Sequence, residues 1–374
     1  MSHEHPYVIH IASGDRWAGA EAQVCTLLTQ LHRTGQVRVA AILMNDGELA
    51  KRLRAAGVPV DVLDESRLGF LTLLKGTVRI LRAQHPSLVH THRQKENLLG
   101  VLASLLLGIP SVSTVHGAPE NAAVGLFKHM LRWVENWTVI HCQRRVIAVS
   151  QDLSLQLQKR LPGANIATIP NGIDIEAVRA ATKPMAGLGT RIPGERQIGI
   201  VGRLDPIKRV DIFLDMAVEL LRRAPDAWRF HVFGEGQLLH ALESQAQKLG
   251  IAERVVFHGH RMDIAACLAA LDALVMCSDH EGLPMVAMES IAAGTPVIAH
   301  AVGGLVPLLE GGCGGMVVEA HTPAGYADAI EAILSTNNYE TMTRGLDRLK
   351  EMYSANCNAE KIAALYRAIH SGIG

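Results

Sequence analysis

Two carboxylates flank a glycine–proline turn in the segment Cys277-Ser-Asp-His-Glu281-Gly282-Leu283-Pro284-Met-Val-Ala-Met-Glu289. An apolar run precedes the segment and helical spacing follows it, so it reads as a strand end, a turn and the opening of a helix. Pro284 suits the first helical turn, where its missing N–H would have had no partner. Gly282 lets the backbone come close to a ligand, and the free N–H groups and positive dipole of a helix start favour an anion. Glu281 before the helix and Glu289 inside it can accept hydrogen bonds from the vicinal hydroxyls of a ribose or a hexose. By themselves these residues also fit a capped helix carrying surface acids.

A second cluster, Gly199-Ile-Val-Gly202-Arg203-Leu-Asp205-Pro-Ile-Lys208-Arg209, again follows an apolar run and leads into a helix. Arg203 offers a planar fork and Lys208 a mobile point charge, a combination suited to two phosphates; a solvated basic turn would read the same way in isolation. The two clusters together point to a diphosphate. Phe233-Gly234-Glu-Gly236 is a third strand-to-helix turn, read as tight-turn chemistry lining a nucleotide, since Gly-x-Gly without a third glycine is weak as a dinucleotide signature. Near the N-terminus, Gly19 in Arg16-Trp-Ala-Gly-Ala-Glu21 stands at a loop–helix junction open to a ligand, and His116 ends another apolar strand. A histidine there serves either a site or the local structure. His90-Thr-His92 and His258-Gly-His260 could each lend a ligand to a metal, but no cysteine or carboxylate stands at ligand spacing, so no metal site is expected.

Short apolar strands alternating with helical stretches must position these turns, and that alternation predicts parallel, doubly wound α/β sheets. Strands are expected near 37–44, 58–63, 87–91, 111–115 and 145–149 after the opening Tyr7–Ala12 run, and near 197–201, 228–233, 255–258, 273–276, 296–299 and 315–318 in a second series. The length of 374 residues suits two domains, and 48% hydrophobic against 19% charged residues supplies ample material for buried sheets. Zero formal net charge, with a mild basic bias in the N-terminal half, argues against a nucleic-acid binder. The longest near-continuous apolar run, Leu98 to Ile109, falls short of the roughly 20 residues that span a bilayer. Six scattered cysteines without a Cys-x-x-Cys pair read as small core residues in a reducing compartment, and the N-terminus lacks the marks of an export signal.

In this order the clusters resemble the retaining glycosyltransferase family 4, whose members have the GT-B fold of two facing Rossmann-like domains. The resemblance extends over nearly the whole chain. It is carried most specifically by Glu281 and Glu289 with the intervening Gly-Leu-Pro, and is supported by Val201-Gly-Arg203-Leu with Lys208, by Pro170-Asn-Gly-Ile-Asp174 and by Val302-Gly-Gly304. It implies that Arg203 and Lys208 hold the donor diphosphate and Glu289 the ribose, while Glu281 and the backbone after it hold the transferred sugar. His116 matches the histidine placed against that sugar, and the turn after His258 would lie beside the base. Many relatives carry Gly-Gly where this chain has Ala18-Gly19, which leaves sugar contacts in that loop less constrained. The chain has no Asp-x-Asp, and the resemblance implies a metal-independent reaction needing no cofactor beyond the nucleoside-diphosphate sugar itself.

The implied domains are an acceptor-side domain over 1–180, a Gly/Pro-rich linker over 181–196 and a nucleotide-sugar-binding domain over 197–350, with a C-terminal helix over 351–374 free to return to the first domain. The expected reaction moves a sugar from a UDP-sugar, with GDP as the other candidate, to a lipid-linked or saccharide acceptor, in surface polysaccharide or glycolipid synthesis. Competing readings are a nucleotide-sugar 2-epimerase of the same fold and a catalytically silent binding subunit; a nicotinamide dehydrogenase lacks the required Gly-x-Gly-x-x-Gly. Apolar and basic residues alternate at helical spacing from Leu126 to Trp133, which suits either a domain helix or a peripheral contact with the inner membrane face of a cytoplasmic protein.

Overall fold

The structure, a computed structural model, describes residues 5–14, 17–117, 136–182, 194–335 and 338–372. The apolar runs form two separate parallel sheets. The first contains β1 (Tyr7–Ala12), β2 (Arg38–Leu43), β3 (Val60–Val62), β4 (Leu88–Thr91), β5 (Ser111–Val115), β6 (Arg145–Ala148) and β7 (Ile166–Thr168), in the order β3-β2-β1-β4-β5-β6-β7. The second contains β8 (Arg196–Val201), β9 (Trp228–Phe233), β10 (Val255–Gly259), β11 (Ala273–Met276), β12 (Val297–His300) and β13 (Gly315–Val318), in the order β10-β9-β8-β11-β12-β13. Strands with helices on both faces are buried twice over, which is why they read as unbroken apolar runs: Val8, Ile9 and Ile11 in β1 and Ile198, Phe230 and Val275 in the second sheet are all fully enclosed. Strand order reverses between β1 and β4, and again between β8 and β11, leaving a crevice for ligands outside the carboxyl ends of those strands.

The chain divides into two compact units, residues 1–172 with 353–374, and residues 173–352. The first boundary therefore lies ahead of the expected position at 180. The Ile175–Ala180 helix packs on the Met285–Ala293 helix of the second unit, where the Arg179 Nε donates to the Ala292 carbonyl at 3.4 Å.

The C-terminal Ala355–His370 helix lies against the Gly19–Thr34 helix of the first unit. A buried polar junction holds it. Gln23 Nε2 donates to Asn358 Oδ1 at 3.1 Å, Asn358 Nδ2 donates to the Pro170 carbonyl at 2.6 Å, and the Gly172 N–H donates to Gln23 Oε1 at 3.0 Å. A Cβ at residue 172 would sit 2.6 Å from that of Asn358, so glycine is what lets the Pro170-Asn-Gly172 turn reach the helix.

Not every expectation maps onto this fold. Strand β7 was not anticipated, being a three-residue edge strand with an incomplete apolar pattern. Only Cys267 and Cys277 are buried; the other four cysteines are partly exposed, and all six are free thiols. Residues 183–193 of the expected linker, Arg16, and the Leu126–Trp133 segment lie outside the described residues. Among the described residues no helix is long and apolar enough to cross a membrane.

Candidate active site

In the second unit, the loops after β8, β9, β11 and β12 build one continuous backbone surface. The 202–204 segment runs beside 234–236, with Gly202 N–H donating to the Phe233 carbonyl at 3.0 Å and Leu204 N–H to the Glu235 carbonyl at 2.9 Å. Glycine makes this contact possible. A Cβ on Gly234, whose φ is 138°, would stand 1.8 Å from the Gly202 carbonyl oxygen, and one on Gly236 would stand 2.3 Å from that of Leu204. The missing side chain of Gly234 thus serves loop-on-loop packing, leaving only its backbone to line a ligand.

The loop after β8 tightens into a 3-10 turn, Pro206–Lys208, and then enters the Val210–Arg223 helix. Arg209 joins the two in the left-handed region at φ 49°, a conformation that disfavours a side-chain-bearing residue and persists only when its surroundings hold it. The holding groups are carboxylates: Arg209 forks onto Asp211, Nε to Oδ1 at 3.1 Å and Nη2 to Oδ2 at 2.9 Å, and reaches Asp279 at 3.3 Å. Asp279 in turn donates its N–H to the Ile207 carbonyl at 2.9 Å, tying the loop after β8 to the loop after β11. The sequence reading named Arg209 without giving it a role and passed over Asp279.

That tie brings Lys208 and Glu281 together, Nζ to Oε1 at 2.6 Å, with side chains only 20% and 8% exposed. Arg203 is 47% exposed and pairs with Asp205 at 3.1 Å, keeping its guanidinium on the same loop. The Glu281-Gly282 backbone is pressed by the loop after β12: Gly304 N–H donates to the Gly282 carbonyl at 2.6 Å, and a Cβ on Gly303 (φ 55°) would lie 1.8 Å from the Glu281 carbonyl oxygen. Leu283 is buried, so its side chain anchors the loop. Pro284 is the residue immediately before the Met285–Ala293 helix, whose first N–H groups receive no side-chain cap from it. Glu289 follows about one turn into this helix, where burial pushes its carboxyl up to about 7. His258 stacks on Phe233 at 4.5 Å and meets His231 Nδ1 at 2.9 Å, while His260 is exposed.

In the first unit, Gly19 opens the helix after the β1 loop, and Glu21, buried in its first turn, forms an ion pair with Arg93. His116 sits just after β5 with Nε2 3.4 Å from His92 Nδ1. Its Nδ1 is buried and meets no partner among the described residues. Burial, assisted by the Arg93 guanidinium, lowers the His116 ring to about 4, so the ring is neutral near pH 7. A histidine cluster forms here around His10, His90 and His92, of which the sequence reading had singled out His90 and His92.

Residues 17–177 match the model of Glycosyltransferase Family 4, and residues 195–336 match Glycosyl transferases group 1. The D-inositol 3-phosphate glycosyltransferase of Mycobacterium marinum is 32% identical over 353 residues, spanning 88% of this chain and 73% of that protein. The chain belongs to glycosyltransferase family 4. This family 4 glycosyltransferase is also 25% identical to the UDP-Gal:alpha-D-GlcNAc-diphosphoundecaprenol alpha-1,3-galactosyltransferase of Escherichia coli, over 93% of this chain and 96% of that one. Its fold matches the Anabaena HepE protein crystallised with UDP and glucose at a TM-score of 0.81 and 23% identity, over 96% and 99% of the two chains. The GT-B architecture expected from sequence is the one observed. Its relatives are sugar transferases by name, in place of the 2-epimerase considered above.

The raised Glu289 carboxyl gives a pH-dependent prediction. Because its folded-state value of about 7 lies above the ordinary 4.5, the folded protein holds this proton more tightly than the unfolded chain. Its contribution to stability is complete below about pH 4.5 and is lost as pH rises through 7. Glu289→Gln stays neutral throughout, so thermal unfolding should find the variant more stable relative to wild type at pH 8 than at pH 5. An identical difference at both pH values would contradict the assignment.

Proposed function

We propose that this glycosyltransferase moves a sugar from a nucleoside-diphosphate sugar, UDP in preference to GDP, with retention of anomeric configuration and without a metal ion. The observation that carries the proposal is Lys208 joined to Glu281 across two strand-end loops, with Arg203 on one loop and an open helix start on the other. In the reaction the bond from the anomeric carbon to the diphosphate breaks and an acceptor oxygen takes its place. Negative charge gathers on the leaving diphosphate, where Lys208, Arg203 and the dipole of the Met285–Ala293 helix can neutralise it. Glu281 then accepts hydrogen bonds from hydroxyls of the transferred sugar and Glu289 from the ribose, with backbone of Gly282, Leu283 and Pro284 facing the donor and the turn after His258 receiving the base. His116 and the Gly19 loop are the first unit's contribution to substrate binding. UDP is supported by the donor in the name of the Escherichia coli relative and by the nucleotide crystallised with HepE.

The acceptor we favour is lipid-linked, in the synthesis of a surface polysaccharide or glycolipid at the cytoplasmic face of the membrane. The galactosyltransferase relative is named for an undecaprenol-linked acceptor. Its support on this chain lies on the Phe70–Gln84 helix, where Leu74, Lys75, Val78, Arg79 and Arg82, with Leu106, line an open groove of about 580 Å³. Leu71 and Leu106 are 72% and 67% exposed. Apolar side chains flanked by cations at helical spacing suit an anionic lipid surface.

Two experiments test these readings. With a UDP-sugar donor, product NMR in excess chelator should find turnover and the donor's own anomeric configuration; an inverted product, or activity restored only by a divalent ion, would overturn the mechanism. In flotation at low salt, the protein should rise with vesicles containing anionic lipid, and Lys75→Glu/Arg79→Glu/Arg82→Glu should stay below. Wild type left in the soluble fraction would point to a soluble acceptor.

A further inference from the structure

His10, His90, His92, His116 and Tyr366 form a single hydrogen-bonded file inside the first unit. From one end, His90 Nε2 lies 2.7 Å from Thr114 Oγ1, and His90 Nδ1 meets the Tyr366 hydroxyl. The same hydroxyl lies 3.2 Å from His10 Nε2, His10 Nδ1 lies 2.9 Å from His92 Nε2, and His92 Nδ1 lies 3.4 Å from His116 Nε2. Among the described residues, only His116 Nδ1, buried at the far end, meets no protein group. Tyr366 comes from the C-terminal helix, so that helix closes the file as well as covering the sheet.

Burial holds all four rings neutral near pH 7: His10 falls to about 3 and His116 to about 4, and His90 and His92 are held well below their ordinary value. A neutral ring has one N–H and one lone pair, and the tyrosine has one proton. Were both neighbouring rings to donate to the tyrosine oxygen, its own buried proton would be left without an acceptor, so the hydroxyl donates to one ring and accepts from the other, and each bond in the file dictates the direction of the next. Either all four rings carry the proton on Nε2, or all four carry it on Nδ1. The second arrangement leaves a buried N–H at His116 Nδ1 without an acceptor among the described residues, and orphaned buried N–H groups are rarer than under-used acceptors.

We propose that His90, Tyr366, His10 and His92 are positioning residues that lock His116 as the Nε2–H tautomer, presenting a bare Nδ1 lone pair to a substrate hydroxyl. This rests on the reading of His116 as a substrate-binding group. The nitrogens of His10, His90 and His92 also fall within 4.8 Å of one another, close enough to hold a metal ion. A cation there would have to break bonds that the rings already make, which favours the file over a metal centre.

The test is nitrogen NMR of the protein labelled with ¹⁵N-histidine at pH 7, where the four ring-nitrogen pairs report tautomer directly. All four rings are expected as Nε2–H. Tyr366→Phe removes only the hydroxyl, so His116 should then populate both tautomers, with kcat down about five-fold, the worth of one hydrogen bond, and UDP affinity unchanged. His116 found as Nδ1–H or as a mixture in wild type would overturn the proposal, as would stoichiometric zinc binding that shifts the His10, His90 and His92 signals. The wild-type spectrum decides even where the variant fails to fold. Absent UDP binding by wild type would instead count against the donor site, which the ring tautomers do not depend on.

Discussion

The ion pair between Lys208 and Glu281 is the contact on which the second unit's site depends. It joins the loop after β8 to the loop after β11, on either side of the point where strand order reverses. With both side chains mostly enclosed, removing either partner leaves a charge without compensation, a change that costs far more than breaking an exposed pair. A lysine held this way has little freedom left to lose when a diphosphate arrives. The same carboxylate that fixes it lies at the start of the Glu281–Pro284 turn, so orientation of the cation and shape of the turn are one constraint.

That constraint is enforced from behind by backbone packed on backbone. Gly234 against the Gly202 carbonyl and Gly303 against the Glu281 carbonyl permit approaches that any side chain would prevent. Arg209 and Asp279 complete the frame with charge, holding the 3-10 turn that carries Lys208 in place. The first unit solves its own problem differently. Its C-terminal helix is held by Gln23 and Asn358, and its polar interior is ordered by rings that each have one proton to give and one lone pair to fill.

Much of this was legible in the residues. Buried parallel strands announce themselves as apolar runs, so β1 and β8 to β13 were readable to within a residue or two, and Glu281-Gly-Leu-Pro284 marked a helix start because proline and glycine have positional meaning there. Other features left no local trace. Edge strand β7 is too short to show a period. The partnership of Arg209 with Asp279 spans 70 residues, and that of Gln23 with Asn358 spans 335, distances over which spacing says nothing. His10, in the middle of Tyr7-Val-Ile-His-Ile-Ala12, was a visible anomaly in an apolar strand; its meaning depended on β4 and the C-terminal helix arriving beside it. Gly234 was recognised as a turn residue, but what it makes room for is another loop's backbone.

The central claim is that Lys208, held by Glu281, receives the donor diphosphate. Calorimetric titration of UDP into wild type and into Lys208→Met, which keeps an unbranched side chain but removes the charge, tests it most directly. The account predicts affinity weakened roughly ten- to a hundredfold in the variant, the range for losing a hydrogen bond to a charged group. Equal UDP affinity in the two proteins, with the variant still unfolding cooperatively, would contradict it.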